Sequence, residues 1–127
     1  MTADSTTTNS KPSPQDNKAF SDALTLTRHT ILLLDQILRV TIDSSIHDDL
    51  EAELLRVERE RLDLKESFRA YKQDPSGLTP PDQATIDKIK TLTDQVDGLN
   101  AEQAQAEAIL KLAGDVADTA AEVFKAK

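Results

Sequence analysis

The longest regular pattern in the chain runs from Thr79 to Phe124, where apolar residues recur at alternating spacings of three and four. The pattern contains one polar position, Gln103, and consists of Ile89, Leu92, Val96, Leu99, Gln103, Ala106, Leu110, Ala113, Ala117, Ala120 and Phe124. This spacing is the heptad repeat of a helix that packs against other helices. An unbroken helix over this stretch is about 65–70 Å long, at roughly 1.5 Å per residue. The pattern therefore predicts an all-α bundle or coiled coil.

The composition agrees with a helical chain. Gly occurs only 3 times in 127 residues, and Ala, Leu, Glu, Asp, Lys and Gln are plentiful, a mixture that favours long helices. The chain has 3 Phe, 1 Tyr and no Trp. Because large aromatic side chains are scarce, the core has to be built from Leu, Ile, Val and Ala.

Residues 1–13 are polar, apart from Met1 and Ala3, and have too little apolar surface to offset the entropy of ordering. We predict a disordered N-terminal tail over this range. An uncleaved export signal rich in Ser and Thr is the alternative interpretation of the tail. It has no basic region followed by an apolar segment, so no secretory signal is visible and a cytoplasmic location is the default expectation.

Three segments combine a hydroxyl side chain with an acid three residues later, which is a helix start signal. They are Ser13-Pro14-Gln15-Asp16, Ser45-Ile46-His47-Asp48 and Thr79-Pro80-Pro81-Asp82. They predict one helical domain over residues 14–127, with helices at about 14–43, 46–73 and 80–125. Gly98 is the weak joint of the third helix because Gly costs about 1 kcal/mol relative to Ala in a helix. The heptad phase continues through Gly98, so we expect one long helix, and a four-helix version broken near Gly98 is the alternative.

Short turns between helices predict an antiparallel up-down-up three-helix bundle. The third helix is longer than the other two by about 15 residues, or roughly 23 Å, so its C-terminal part needs something to cover it. The candidate interaction surface there consists of Ile109, Leu112, Val116, Val123 and Phe124. An exposed helix with apolar stripes of this kind is typical of a dimer or partner surface. The other interpretation is that the first helix extends or tilts to cover it.

Two polar residues, Arg61 and Gln103, occupy core-type positions of the heptads. Buried polar residues at such positions can fix register and oligomeric state at some cost in stability. We expect each to lie in a seam between helices or subunits with a hydrogen-bond partner. For Arg61, burial of the side-chain stem alone is the alternative.

No residue pattern indicates catalysis, and we predict no enzyme activity, cofactor or metal. The chain has no Cys and only 2 His, at positions 29 and 47, whereas a zinc site takes three or four ligands from Cys, His and acids. Gly77, Gly98 and Gly114 are too far apart to form a phosphate-binding loop. The net charge of −8 disfavours nucleic acid and anionic membranes as partners. The longest apolar run, Ile31 to Leu34, is far shorter than the roughly 20 residues of a membrane helix.

These observations favour a non-enzymatic helical interaction protein that acts through its long C-terminal helix. Its expected partner is a second copy, giving a homodimer, or a helical or basic client protein. The alternative function is that of a small acidic chaperone, antitoxin or immunity-type protein that masks a basic or amphipathic client. The charge of −8 fits this alternative, and the long heptad pattern fits self-association.

Overall fold

A computed structural model describes residues 13–99, 104–123 and 125–126, and this part of the chain is almost entirely helical. The helices are α1 (Pro14–Val40), α2 (Ser44–Gln73), α3 (Gln83–Asp97) and α4 (Ala106–Glu122). A 3₁₀ turn at Pro75–Gly77 follows α2, and two short strands are β1 (Leu78–Thr79) and β2 (Lys125–Ala126). The all-α prediction is confirmed. The predicted tail lies outside the described residues, except for Ser13.

Helix α1 begins as predicted. The Ser13 hydroxyl accepts a hydrogen bond from the backbone N–H of Asp16 at 3.0 Å, and Pro14 occupies the first helical position. A proline is favourable there because its missing N–H would have no partner within the helix. The hydroxyl cap and the proline together fix where the helix starts.

Two aspartates cap the next two helices, in place of the hydroxyl residues that the sequence predicted. The Asp43 carboxylate caps α2 by accepting from the N–H groups of Ser45 and Ile46, at 2.9 and 3.1 Å. The Asp82 carboxylate caps α3 by accepting from the N–H of Thr85 at 2.8 Å. Both aspartates have extended backbone conformations, and Asp ranks with Ser among the best N-cap residues. α2 therefore starts two residues earlier than its hydroxyl signal, and Thr79 lies in β1 instead of capping a helix.

The long third helix is also corrected, because α3 ends at Asp97 and a separate α4 begins at Ala106. The last turn of α3 tightens: the N–H of Gly98 donates to the carbonyl of Asp94, and the N–H of Leu99 donates to the carbonyl of Val96. Glycine is a poor helix former, and Leu99 packs against the core although it lies outside the helix. The chain thus has the four-helix form that breaks near Gly98.

Side-chain contacts give the directions of the helices. Asp16 of α1 meets Tyr71 of α2, and further along α1 the carbonyl of Leu24 meets Arg61, so these two helices are antiparallel. Helices α1 and α3 are parallel, because Lys18 and Asp22 share a groove with Gln83 and Asp87 at the start of α3, and His29 meets Asp97 at its end.

Helices α2 and α4 are parallel as well. Glu53 lies beside Gly114, and Arg56, one turn later in α2, binds Asp118, one turn later in α4. Successive helices therefore alternate in direction, up, down, up and down. At the lower end, the antiparallel pair β1–β2 joins the connection between α2 and α3 to the segment that follows α4, with Leu78 opposite Ala126 and Thr79 opposite Lys125.

The core lies around α1 and α4, each of which packs against the other three helices. The wide apolar face of α1 is thus covered by the three neighbouring helices. By contrast, α2 is buried along a narrow heptad line of four residues, Leu50, Val57, Leu64 and Tyr71. Most of the remaining circumference of α2, the longest of the described helices, is exposed.

Candidate interaction surface

The apolar residues predicted to form an exposed surface on the last helix are part of the core. Ile109, Leu112, Val116 and Val123 are at most 8% exposed. The chain reversal between Asp97 and Ala106 returns the last helix to the bundle, where the other three helices cover both of its apolar stripes. Their expected exposure is therefore corrected. Phe124, the fifth residue of that prediction, lies outside the described residues.

Arg61 lies in the seam between α1 and α2. Its guanidinium Nη1 donates to the backbone carbonyl of Leu24 at 2.6 Å and to the hydroxyl of Thr27 at 3.3 Å. The Thr27 side chain is fully buried and also donates to the Leu24 carbonyl, at 2.8 Å. Arg61 thus has the seam position and the hydrogen-bond partners expected of it, within one chain. Gln103, the other predicted seam residue, lies outside the described residues.

One ion pair links α2 to α4. The Arg56 guanidinium donates to the Asp118 carboxylate and lies 3.9 Å from Glu53 of its own helix. The hydrogen bond to Asp118 raises the pKa of Arg56. Nearby, partial burial and the neighbouring charge of Asp63 raise the pKa of Glu60. Exposed pairs of this type contribute about 0–1 kcal/mol, so this network helps to align α2 with α4 and adds little to stability.

One histidine links two helices, and the other lies half-buried at the start of α2. His29 Nδ1 lies 3.0 Å from the Asp97 carboxylate and links α1 to the end of α3. His47 is half-buried in the first turn of α2. Within residues 13–99 and 104–123, no three His, Asp or Glu side chains are grouped so that they could hold a metal ion.

The large hydrophobic side chains that remain exposed all belong to one part of the fold. In the described residues they are Leu32, Val40, Ile42, Leu55 and Leu62, with exposures of 49, 59, 96, 63 and 61%. Each lies on α1, on α2 or in the turn that joins them. The described parts of α3 and α4 have none. The α1–α2 hairpin is therefore the candidate binding element.

Two of these leucines project from the outer side of α2. Leu55 and Leu62 precede Val57 and Leu64 of the buried heptad line by two positions, which rotates them by about 200° to the opposite side of the helix. We name Leu55 and Leu62 the outer hairpin face.

Leu32 lies on a different side of the hairpin. It follows Thr25 by seven residues and His29 by three, and both of these lie against α3. Sequence reasoning missed the outer hairpin face, although the spacing of seven between Leu55 and Leu62, away from the buried heptad line, was a visible signal.

No described helix combines the length and the apolar character that crossing a membrane requires. Comparison with protein-family models, with curated proteins and with solved structures found no match for this chain.

Proposed function

We propose that this protein is a non-enzymatic helical interaction protein that binds a helical partner through its outer hairpin face. The observation that supports the proposal is the exposure of Leu55 and Leu62, at 63 and 61%, on one side of α2. Single exposed leucines are ordinary on protein surfaces, whereas apolar residues grouped on one face mark interaction sites. The proposed surface therefore lies on α2 and not on the last helix, where the sequence predicted it.

The chemistry around these leucines suits an amphipathic helix. Leu55 and Leu62 are spaced by seven residues, which is the spacing of anchors in helix-to-helix recognition. Exposed acids and bases of α2, among them Glu58, Arg59, Lys65 and Glu66, surround them. A mixed rim of this kind fits a protein partner with both signs of charge, and the net charge of −8 opposes binding to nucleic acid or an anionic membrane.

A second candidate function is that of an acidic protein that masks a basic client. It is favoured by the charge of −8 and by three exposed acids near the start of α2, Asp48, Asp49 and Glu51. In this case the client's bases contact the upper end of the hairpin, and its apolar residues cover Leu55. Both candidates use the same face, so one experiment addresses them together.

Site-specific photo-crosslinking tests the proposed surface. A photoreactive amino acid replaces Leu55 in one variant and Lys88, an exposed residue of α3, in a control variant. Illumination in cells that naturally make the protein is expected to give an adduct of one defined mass from position 55 and none from position 88. Mass spectrometry of the adduct then identifies the partner, as a second copy or as a different protein whose charge can be read from its sequence.

The proposal fails if position 55 gives no adduct, or if positions 55 and 88 give the same adducts. A different protein of high net positive charge at position 55 favours the client-masking function.

A further inference from the structure

Four exposed residues along one side of α2 form a self-complementary pattern of charged and apolar side chains. From the N-terminal to the C-terminal end it consists of an acid, two leucines and a base: Asp48, Leu55, Leu62 and Arg69. Successive members are seven residues apart, nearly two helical turns, so they follow one side of the helix. We name these residues the outer line of α2. Two such lines placed antiparallel bring acid against base at both ends and leucine against leucine between them.

We propose that the occupant of the outer hairpin face is a second copy of this chain, packed antiparallel along α2 about a twofold axis between Glu58 and Arg59. This inference rests on the proposed function, since it names the partner of the same face. In the resulting register, Asp48 lies opposite the partner's Arg69, and Leu55 lies opposite the partner's Leu62. At the centre, Glu58 of each chain lies opposite the partner's Arg59.

The twofold symmetry makes each of these contacts occur twice. An isologous interface of this kind requires a self-complementary surface, and the outer line of α2 meets that condition. The reverse, parallel arrangement brings Asp48 against Asp48 and Arg69 against Arg69, so charge repulsion opposes it. The order of charges therefore selects both the partner and its direction.

The proposed contact extends along most of α2. The helix has 30 residues and is about 45 Å long, and the outer line from Asp48 to Arg69 spans about 32 Å of it. Because a standard interface buries about 800 Å² on each partner, we expect the adjoining surface of α1 to take part beside the α2 contact. Lys65, close to Leu62, lies within reach of the partner's Glu51 and adds a further pair of opposite charges.

Charge-reversal variants test the antiparallel dimer. Asp48→Arg alone places two arginines together at each end of the interface, and Arg69→Asp alone places two aspartates together. Each variant is expected to weaken dimerisation at least about tenfold, the equivalent of about 1.4 kcal/mol. An equimolar mixture of the two variants restores both opposite-charge contacts and is expected to recover the dimer. Sedimentation equilibrium of the full chain measures the dissociation constants.

Asp49→Arg is the matched control. It makes the same charge change in the same turn of α2 at an exposed position that does not belong to the outer line, so dimerisation is expected to stay unchanged. Far-ultraviolet circular dichroism and thermal unfolding of each variant check that the reversed charges, which oppose the helix dipole, leave the fold intact.

A wild-type chain that is monomeric at every concentration overturns the antiparallel dimer, and so does a mixture that fails to recover it. A monomer together with a crosslink from position 55 to a different protein overturns this inference alone and leaves the proposed function standing. A wild-type dimer that is insensitive to both reversals, with no adduct from position 55, overturns both.

Discussion

The phenol of Tyr71 donates a hydrogen bond of 2.5 Å to the carboxylate of Asp16 and so joins the last turn of α2 to the first turn of α1. The Tyr71 side chain is buried, and its ring lies 5.7 Å from that of Phe20. Asp16 contributes its backbone N–H to the Ser13 cap at the same time. The start of the first helix and the end of the second are thus held by one pair of residues.

This contact predicts that stability declines at high pH. Burial, followed by the hydrogen bond and the negative charge of Asp16, raises the pKa of Tyr71 to about 12. The unfolded pKa is about 10, so the stabilising effect of the neutral phenol is complete below pH about 10 and is lost as the pH rises towards 12. We expect the free energy of unfolding to fall over this range, and the near-ultraviolet absorbance of tyrosinate to titrate near 12.

Tyr71 is the single tyrosine of the chain, which has no Trp, so the tyrosinate absorbance reports on this residue alone. In denaturant the midpoint is expected to return to about 10. In Asp16→Asn it is expected to fall below that of the wild type but to stay above 10, because burial remains. A native midpoint near 10, with the helical circular dichroism intact, would contradict the buried contact.

Arg61 provides a test of the seam between α1 and α2. Arg61→Met keeps an apolar stem of similar length and removes the bonds to Leu24 and Thr27. A hydrogen bond from a charged donor contributes about 1.5–3 kcal/mol, and burial of the methionine offsets part of it, so we expect a loss of about 1 kcal/mol. Urea unfolding measures the change. Lys88→Met, on the exposed side of α3, is the control, and equal effects of the two substitutions would show that the seam contacts contribute nothing.

The helices α1 and α2 could be predicted from the sequence because local signals and packing agree there. Ser13 and Pro14 start α1 as expected, and Leu50, Val57 and Leu64 bury along the heptad line that the spacing indicated. The start of α2 was misplaced by two residues because Asp43 competes with Ser45 as a cap. Such competition between neighbouring caps is decided by backbone geometry, which the sequence alone does not contain.

The break between α3 and α4 could not be predicted, because the heptad phase continues whether or not the helix is continuous. Leu99 keeps its heptad position and contacts the core, although α3 has already ended at Asp97. Apolar periodicity identifies which residues are buried, and Ile109 and Val116 are indeed apolar positions of a helix. It does not identify the direction in which that helix runs, and the assignment of these two residues to a surface or a core depended on that direction.

Burial of the last helix predicts a large stability effect at Ile109. Ile109 is 1% exposed, and replacing a buried Ile by Ala costs about 2–5 kcal/mol through lost contacts and the cavity that remains. Ile42→Ala is the matched control, because Ile42 is 96% exposed in the turn between α1 and α2 and such a change alters stability by no more than about 0.5 kcal/mol. Chemical denaturation measures both. Similar small effects would mean that α4 is not part of the core.

The reversal of the chain after Asp97 predicts a short distance between α3 and α4. Spin labels at two exposed positions, Lys88 and Ala121, would be about 50 Å apart in one continuous helix. In the four-helix bundle, α4 returns beside α3 with helix axes about 8–10 Å apart, and the labels lie about 10 Å apart along the axis. These two components combine to about 14 Å between the backbones, and the label side chains extend this to an expected distance of about 20 Å. Pulsed electron paramagnetic resonance measures it in protein diluted with unlabelled chain, so that distances between copies do not contribute. Labels at Ala52 and Ala70 give a control distance of about 27 Å along α2 in either fold, and 50 Å for the first pair would restore the long helix.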